Sequence, residues 1–393
     1  MQTKTDCKAV LLLLSMLLFF QINTVLAGGP LERLAYVPSE VDNNLAVIDL
    51  LTAKQLKPLP TGKTPHALAF TPTGKCYVNN RGSKDLTVID AYKLEVIRTI
   101  PLSATSFQLA MSPDGKTLAV AYKDALKVSF IDTESDEITT TVPIGIGPES
   151  FKGAMMKHPY WSRDGRYLYA SDNVNNTIVK IDTDSYGIAA TIRMPGTNHY
   201  LHPTKDGKLL YAVNETTKTG TSVTVIDSST DAIIKDIPIS IDLAEKVLGH
   251  HGEFSPDGKY FFFCNEGGRT VAVIDTALME VVKSIKTGMG AGHPSISRDG
   301  KLMFVIHHND NVVTVIDIAR QEPIKTITVG EGKKQAHGSY FSPDGKFFYM
   351  ISADDNNLVV IDTIKMEVNS KIPVGRSAMY FGIREGNEFP SVE

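Results

Sequence analysis

Imidazole is the side chain best suited to binding transition metals and to moving protons near neutral pH, and this sequence carries ten histidines. Seven of them occupy one place in a recurring pattern. His66, His199, His250 and His337 stand five residues before the Ser or Thr that opens a turn, and His158, His251 and His293 stand four before it. Neutral nitrogens converging from several segments would suit copper, zinc or iron. The offset between the two groups argues against full convergence, because side chains one residue apart in a strand point to opposite faces. Pro-His and Gly-His are also common lead-in sequences in repeats of this kind.

One stretch stands apart, Gly249-His250-His251-Gly252-Glu253, at the end of the long segment Ile239–Gly249. It joins two imidazoles and a carboxylate to two glycines that let the backbone approach a ligand closely. Glu253 is a candidate base or metal ligand beside His250 and His251. The plainer expectation is a packed loop with Glu253 paired to a Lys or Arg. His307-His308 with Asp310 reads as a solvated turn, and Met155-Met156 as the anchor of a packed loop. Asp114, Asp164, Asp206, Asp257, Asp299 and Asp344 are turn residues whose carboxylates bond nearby backbone. Asp49 and its counterparts Asp90, Asp132, Asp182, Asp227, Asp275, Asp317 and Asp362 end strands in the same role. No nucleophile elbow, phosphate loop or dinucleotide fingerprint is present.

These residues hang on a repeated frame. His251–Gly288 reads as four short strands, with Val, Ile, Phe and Tyr at alternating positions and a Ser-Pro-Asp-Gly turn after the first. The turn glycine recurs at Gly74, Gly115, Gly165, Gly207, Gly258, Gly300 and Gly345. Four strands repeated at roughly 40–50 residues is the signature of a β-propeller. The expected fold is all-β, one propeller of four-stranded blades, eight by repeat count with seven as the alternative. Leu34–Val37, Leu45–Asp49 and Gln55–Leu59 lack a first strand, which the apolar tail Ser377–Ile383 would supply, closing the ring and removing its open edges. Lengthened loops at Gly145–Lys157 and Ile239–Gly249 both lead into first strands, so the face they share is the expected working face.

Residues 1–27 read as a secretory signal peptide, with Lys4 and Lys8 before the apolar run Ala9–Phe20 and a small-residue cleavage site at Val25-Leu26-Ala27. The propeller then spans 28–393, exported, with no membrane span after cleavage. Charge is near balance, 40 basic against 44 acidic residues, which recommends no nucleic-acid partner. Cys76 and Cys264, four repeats apart, are expected as buried unbridged thiols. Without a Cys-x-x-Cys-His motif this chain attaches no c-type haem.

The repeats SPDGKYFFFCNEGGRTVAVIDT, TPTGKCYVNNRGSKDLTVIDA and SPDGKFFYMISADDNNLVVIDT resemble the YVTN family of bacterial and archaeal propellers. The chain as a whole is also similar to the propeller (beta) subunits of the hydrazine synthases of anammox bacteria, although seven blades are common among such relatives. That second resemblance implies a cofactor-free subunit of a complex making hydrazine from nitric oxide and ammonium, with haem c on partner subunits. It implies a loop, about 245–260 with Gly249, His250, His251 and Glu253, presented to a partner's haem, and residence in the periplasm or anammoxosome lumen. Three readings follow. The first is a scaffold subunit of a multihaem complex. The second is a stand-alone propeller with a metal or haem-like cofactor at the channel mouth, and the third a non-catalytic envelope interaction protein.

Overall fold

The computed structural model describes residues 34–148, 150–218, 220–239, 248–333 and 335–383. The expected signal peptide and residues 240–247 of the second lengthened loop lie outside the described residues. Among those described there is no helix, and no helix long and apolar enough to cross a membrane. Every strand belongs to one of eight antiparallel sheets. The sixth blade runs Gly249–Phe254, Tyr260–Asn265, Thr270–Asp275, Glu280–Lys286, and the others repeat it.

Burial follows position in the blade. The second and third strands, such as Tyr260–Asn265 and Thr270–Asp275, are buried on both faces because each sheet is sandwiched between two others. Fourth strands, such as Glu280–Lys286, lie mostly exposed at the outer rim. Eight apolar clusters fill the gaps between successive blades; Phe262, Cys264 and Val273 of the sixth, for example, pack on Met303, Val305 and Ile316 of the seventh. First strands of neighbouring blades touch one another, which puts them innermost.

The ring closes where expected. Gly382–Ile383 pairs with Leu34–Ser39 through Ala35↔Ile383 and Tyr36↔Gly382, and completes the first blade. Phe381 is buried in the cluster between the eighth and first blades, while Arg376 donates to Asp42 across 334 residues of sequence. Eight blades result. The turn aspartates keep their structural role: Ser112 Oγ and Lys116 N donate to Asp114, and Leu51 N to Asp49. Gly115 takes φ 71° in its turn, a conformation glycine adopts without strain. Met155 and Met156 are buried anchors of the first lengthened loop. Cys76 and Cys264 are free and buried, and burial pushes both thiols well up.

Candidate metal centre

Two rings of residues surround one mouth of the channel. The inner ring comes from the first strands and the residues leading into them: His66, Phe107, His158, His199, His250 and His337 line the mouth with Tyr380 of the closing tail, and His293 packs against His250 and His337. The outer ring is the residue just past the core of each second strand: Glu40, Arg81, Glu215, Glu266 and His308 all line the mouth. Between them lies a cavity of about 780 Å³.

The two histidine registers converge after all. His250, His293, His308 and His337 form one group and His158, His199 and His251 another, with the ligand atoms within each group no more than 4.8 Å apart. The groups adjoin: the His199 and His250 rings are 4.2 Å apart, and those of His251 and His293 4.1 Å. Strict alternation fails because the inner strands bulge at the histidines. Register shifts fall between Gly249 and Gly252, Ala291 and His293, Gln335 and Ser339, and Asn198 and Tyr200. A bulge inserts unpaired residues and turns the strand, so consecutive side chains such as His250 and His251 both reach the axis. Flanking glycines permit the close packing. A Cβ on Gly252 would run into the Phe261 ring, and one on Gly292 would lie 2.5 Å from His308 Cε1.

Burial holds these imidazoles neutral. It pushes His158, His250, His251, His293 and His337 well below the ordinary value, helped by the neighbouring rings. His199 falls to about 4 through burial and the Lys157 charge. Each neutral ring offers one lone pair. Several of the nitrogens have no partner among the described residues: Nε2 of His199 and His308, Nδ1 of His250, and both nitrogens of His251. Unpartnered buried polar atoms are costly, and here they converge.

Carboxylates sit behind three of the rings. Glu40 Oε1 lies 2.5 Å from His66 Nδ1, Glu215 Oε1 3.8 Å from His199 Nδ1, and Glu266 Oε1 3.6 Å from His308 Nδ1. Only the Glu40–His66 pair is at hydrogen-bond distance; Glu215 and Glu266 stand at ion-pair range behind His199 and His308, on the side where a histidine metal site carries its outer shell. Lys157 Nζ bonds Glu215 at 2.5 Å and contacts His199 Nδ1 at 3.2 Å. Burial opposes ionisation of Glu215, but the adjacent His199 and the Lys157 charge outweigh it and hold the carboxyl at about 2.

The remaining candidates take other places. Glu253 is half-buried further along the strand, opposite Phe262, outside both imidazole groups. His307 is not in a solvated turn but buried, its Nε2 at 2.9 Å from Thr314 Oγ1, and His308 beside it joins the cluster. His202 Nε2 accepts from Gly252 N, so it supports the bulge. His66 stays outside both groups, against Glu40 and the Tyr380 ring. Glu215 and Glu266 were not singled out from sequence, and His308 was read there as part of a solvated turn. The signal was present, since all three occupy the same repeat position.

Comparison with known proteins gives the same architecture. A model of the YNCE-like β-propeller family matches residues 23–151, and one of the cytochrome d1 haem domain matches residues 109–298. This chain is an eight-bladed β-propeller, and each of the two family models matches less than half of it. Among solved structures it is similar to the dihydro-haem d1 dehydrogenase NirN in complex with DHE, at TM-score 0.76 and 18% identity, over 91% of this chain and 76% of that one. It is similar to Kuenenia stuttgartiensis hydrazine synthase at TM-score 0.59 and 20% identity, over 76% of this chain and 95% of that one. A functionally unknown protein from Desulfotomaculum acetoxidans aligns at TM-score 0.57 and 13% identity, over 89% and 98%. At such identities the likeness is one of fold. No curated protein matches the chain.

Proposed function

We propose that this exported propeller binds transition-metal ions through imidazole nitrogen at the mouth of its channel. The observation that carries this reading is the convergence of seven histidines in two groups, several with buried nitrogens that no described residue satisfies. Charge agrees: Arg81, Lys157 and Lys333 face Glu40, Glu215, Glu266 and Asp354 around the cavity, which gives no net positive field against a cation. Imidazole-rich sites suit copper and zinc. The test is metal analysis of the full-length chain after exposure to copper or zinc and gel filtration. At least one equivalent should co-elute; a metal-free protein at micromolar ion would overturn the reading.

A second reading is a haem-like macrocycle in the same cavity, favoured by the d1 haem-domain match, which spans His158, His199, His250, His251 and His293. The room and the neutral imidazoles fit such a group. One of the lining histidines would hold its iron, Phe107 and Tyr380 would supply apolar and aromatic wall, and Arg81, Lys157 and Lys333 would meet its carboxylates. A bound haem would supply one-electron redox chemistry. This would replace the expectation that the chain carries no cofactor of its own.

The likeness to hydrazine synthase supports a third arrangement, a subunit of a hetero-oligomeric redox complex with haem c on its partners, lending Gly249, His250, His251 and Glu253 to a partner's site. Native mass and visible spectrum separate the three. A monomer with metal but no Soret band supports the first, a monomer with a Soret band the second, and a large assembly with c-type haem bands the last.

A further inference from the structure

Resting on the metal-binding reading, we infer that the channel mouth holds two unequal ions: a closed site of His250, His293, His308 and His337, and an open site of His158, His199 and His251 that takes a small anionic ligand beside Lys157. The count of nitrogens separates them. Four protein ligands complete the tetrahedral shell typical of structural ions, whereas three leave a position for water or substrate.

One pair of the closed site already stands at ligand spacing. His293 Nε2 and His337 Nδ1 stand 3.1 Å apart, close to the roughly 3.3 Å that separates two nitrogens bound at 2.0–2.1 Å to one tetrahedral ion. Glu266 backs His308 there. The open site is assembled differently. Both groups border the cavity, but only the three-histidine group leaves a coordination position for a ligand entering from it: His158 and His199 line the cavity, and His251 has both ring nitrogens unpartnered among the described residues. Next to it stands the Lys157 ammonium, 3.2 Å from His199 and fixed by Glu215. An ammonium N–H beside an exchangeable metal position can donate a charge-assisted hydrogen bond to an anionic ligand bound there. The two groups adjoin, with the His199 and His250 rings, and the His251 and His293 rings, in contact.

The test uses cobalt(II) as a spectroscopic probe and azide as the anion. The full chain should bind two equivalents of cobalt with intense tetrahedral-type visible bands. Azide should then alter the bands of one equivalent only, saturably. Lys157→Met should weaken azide binding about tenfold, the loss of one nearby unit charge. His158→Gln should abolish the azide response while leaving one equivalent bound, and His293→Gln should remove the other equivalent and keep the response. Failure to bind any cobalt would overturn the metal-binding reading itself. A single equivalent, or two with no azide response in the wild-type protein, would overturn the two-site inference alone, without recourse to any variant.

Discussion

His66 offers a quantitative test of the electrostatics of the mouth, because it lies outside both proposed metal groups. Burial lowers its pKa from 6.5 to about 4; Arg81 and Lys123 add to the drop, and the Glu40 hydrogen bond only partly opposes it. Phe107 and Tyr380 complete its surroundings. The unfolded chain binds a proton near pH 6.5, whereas the folded chain does so only near 4. Stability from this group is therefore intact above the unfolded value and lost as pH falls through that window. A fall from 6.5 to about 4 amounts to about 3.4 kcal/mol when complete, of which about 1 kcal/mol is lost between pH 7 and 5.5. His66→Gln keeps a donor for Glu40 and removes the titration. Urea unfolding of the metal-free protein, followed by fluorescence of the single tryptophan, Trp161, should show the wild type losing about 1 kcal/mol more than the variant over this range. Parallel losses in the two proteins would refute the assignment of a buried, neutral His66.

Other consequences are equally direct. Gly292→Ala puts a methyl 2.5 Å from His308 Cε1, so it should displace that ring and weaken one metal equivalent while the far-ultraviolet circular dichroism stays unchanged. Glu266→Gln and Glu215→Gln remove the carboxylates behind His308 and His199; each should cost about 10- to 100-fold in metal affinity at its own site by competition titration. Phe381→Ala empties a position only 2% exposed where the ring closes, and should destabilise the propeller by about 3–5 kcal/mol in denaturant unfolding.

The frame was open to inspection in the sequence because each blade repeats the same chemistry. The Pro-Asp-Gly turn, the strand-ending aspartates and the orphan tail Ser377–Ile383 were enough to assign eight blades and the closing strand. The place of the site was also legible, since His66, His158, His199, His250, His251, His293 and His337 recur at the start of first strands. Their convergence was not legible. A period of two assigns His250 and His251 to opposite faces, and only the bulge between Gly249 and Gly252 brings both to the axis. Gly252 and Gly292 were the available hints, since each admits a neighbouring ring where a side chain would not fit. Glu266 escaped notice and His308 was read as part of a solvated turn because their chemistry depends on each other across adjacent blades, a relation that spacing along the chain does not encode.

Anomalous diffraction at the absorption edge of the loaded metal tests the account most directly. It should place one peak within bonding distance of His250, His293, His308 and His337, and a second beside His158, His199 and His251. Data from loaded crystals with no anomalous peak near any of these imidazoles would contradict it.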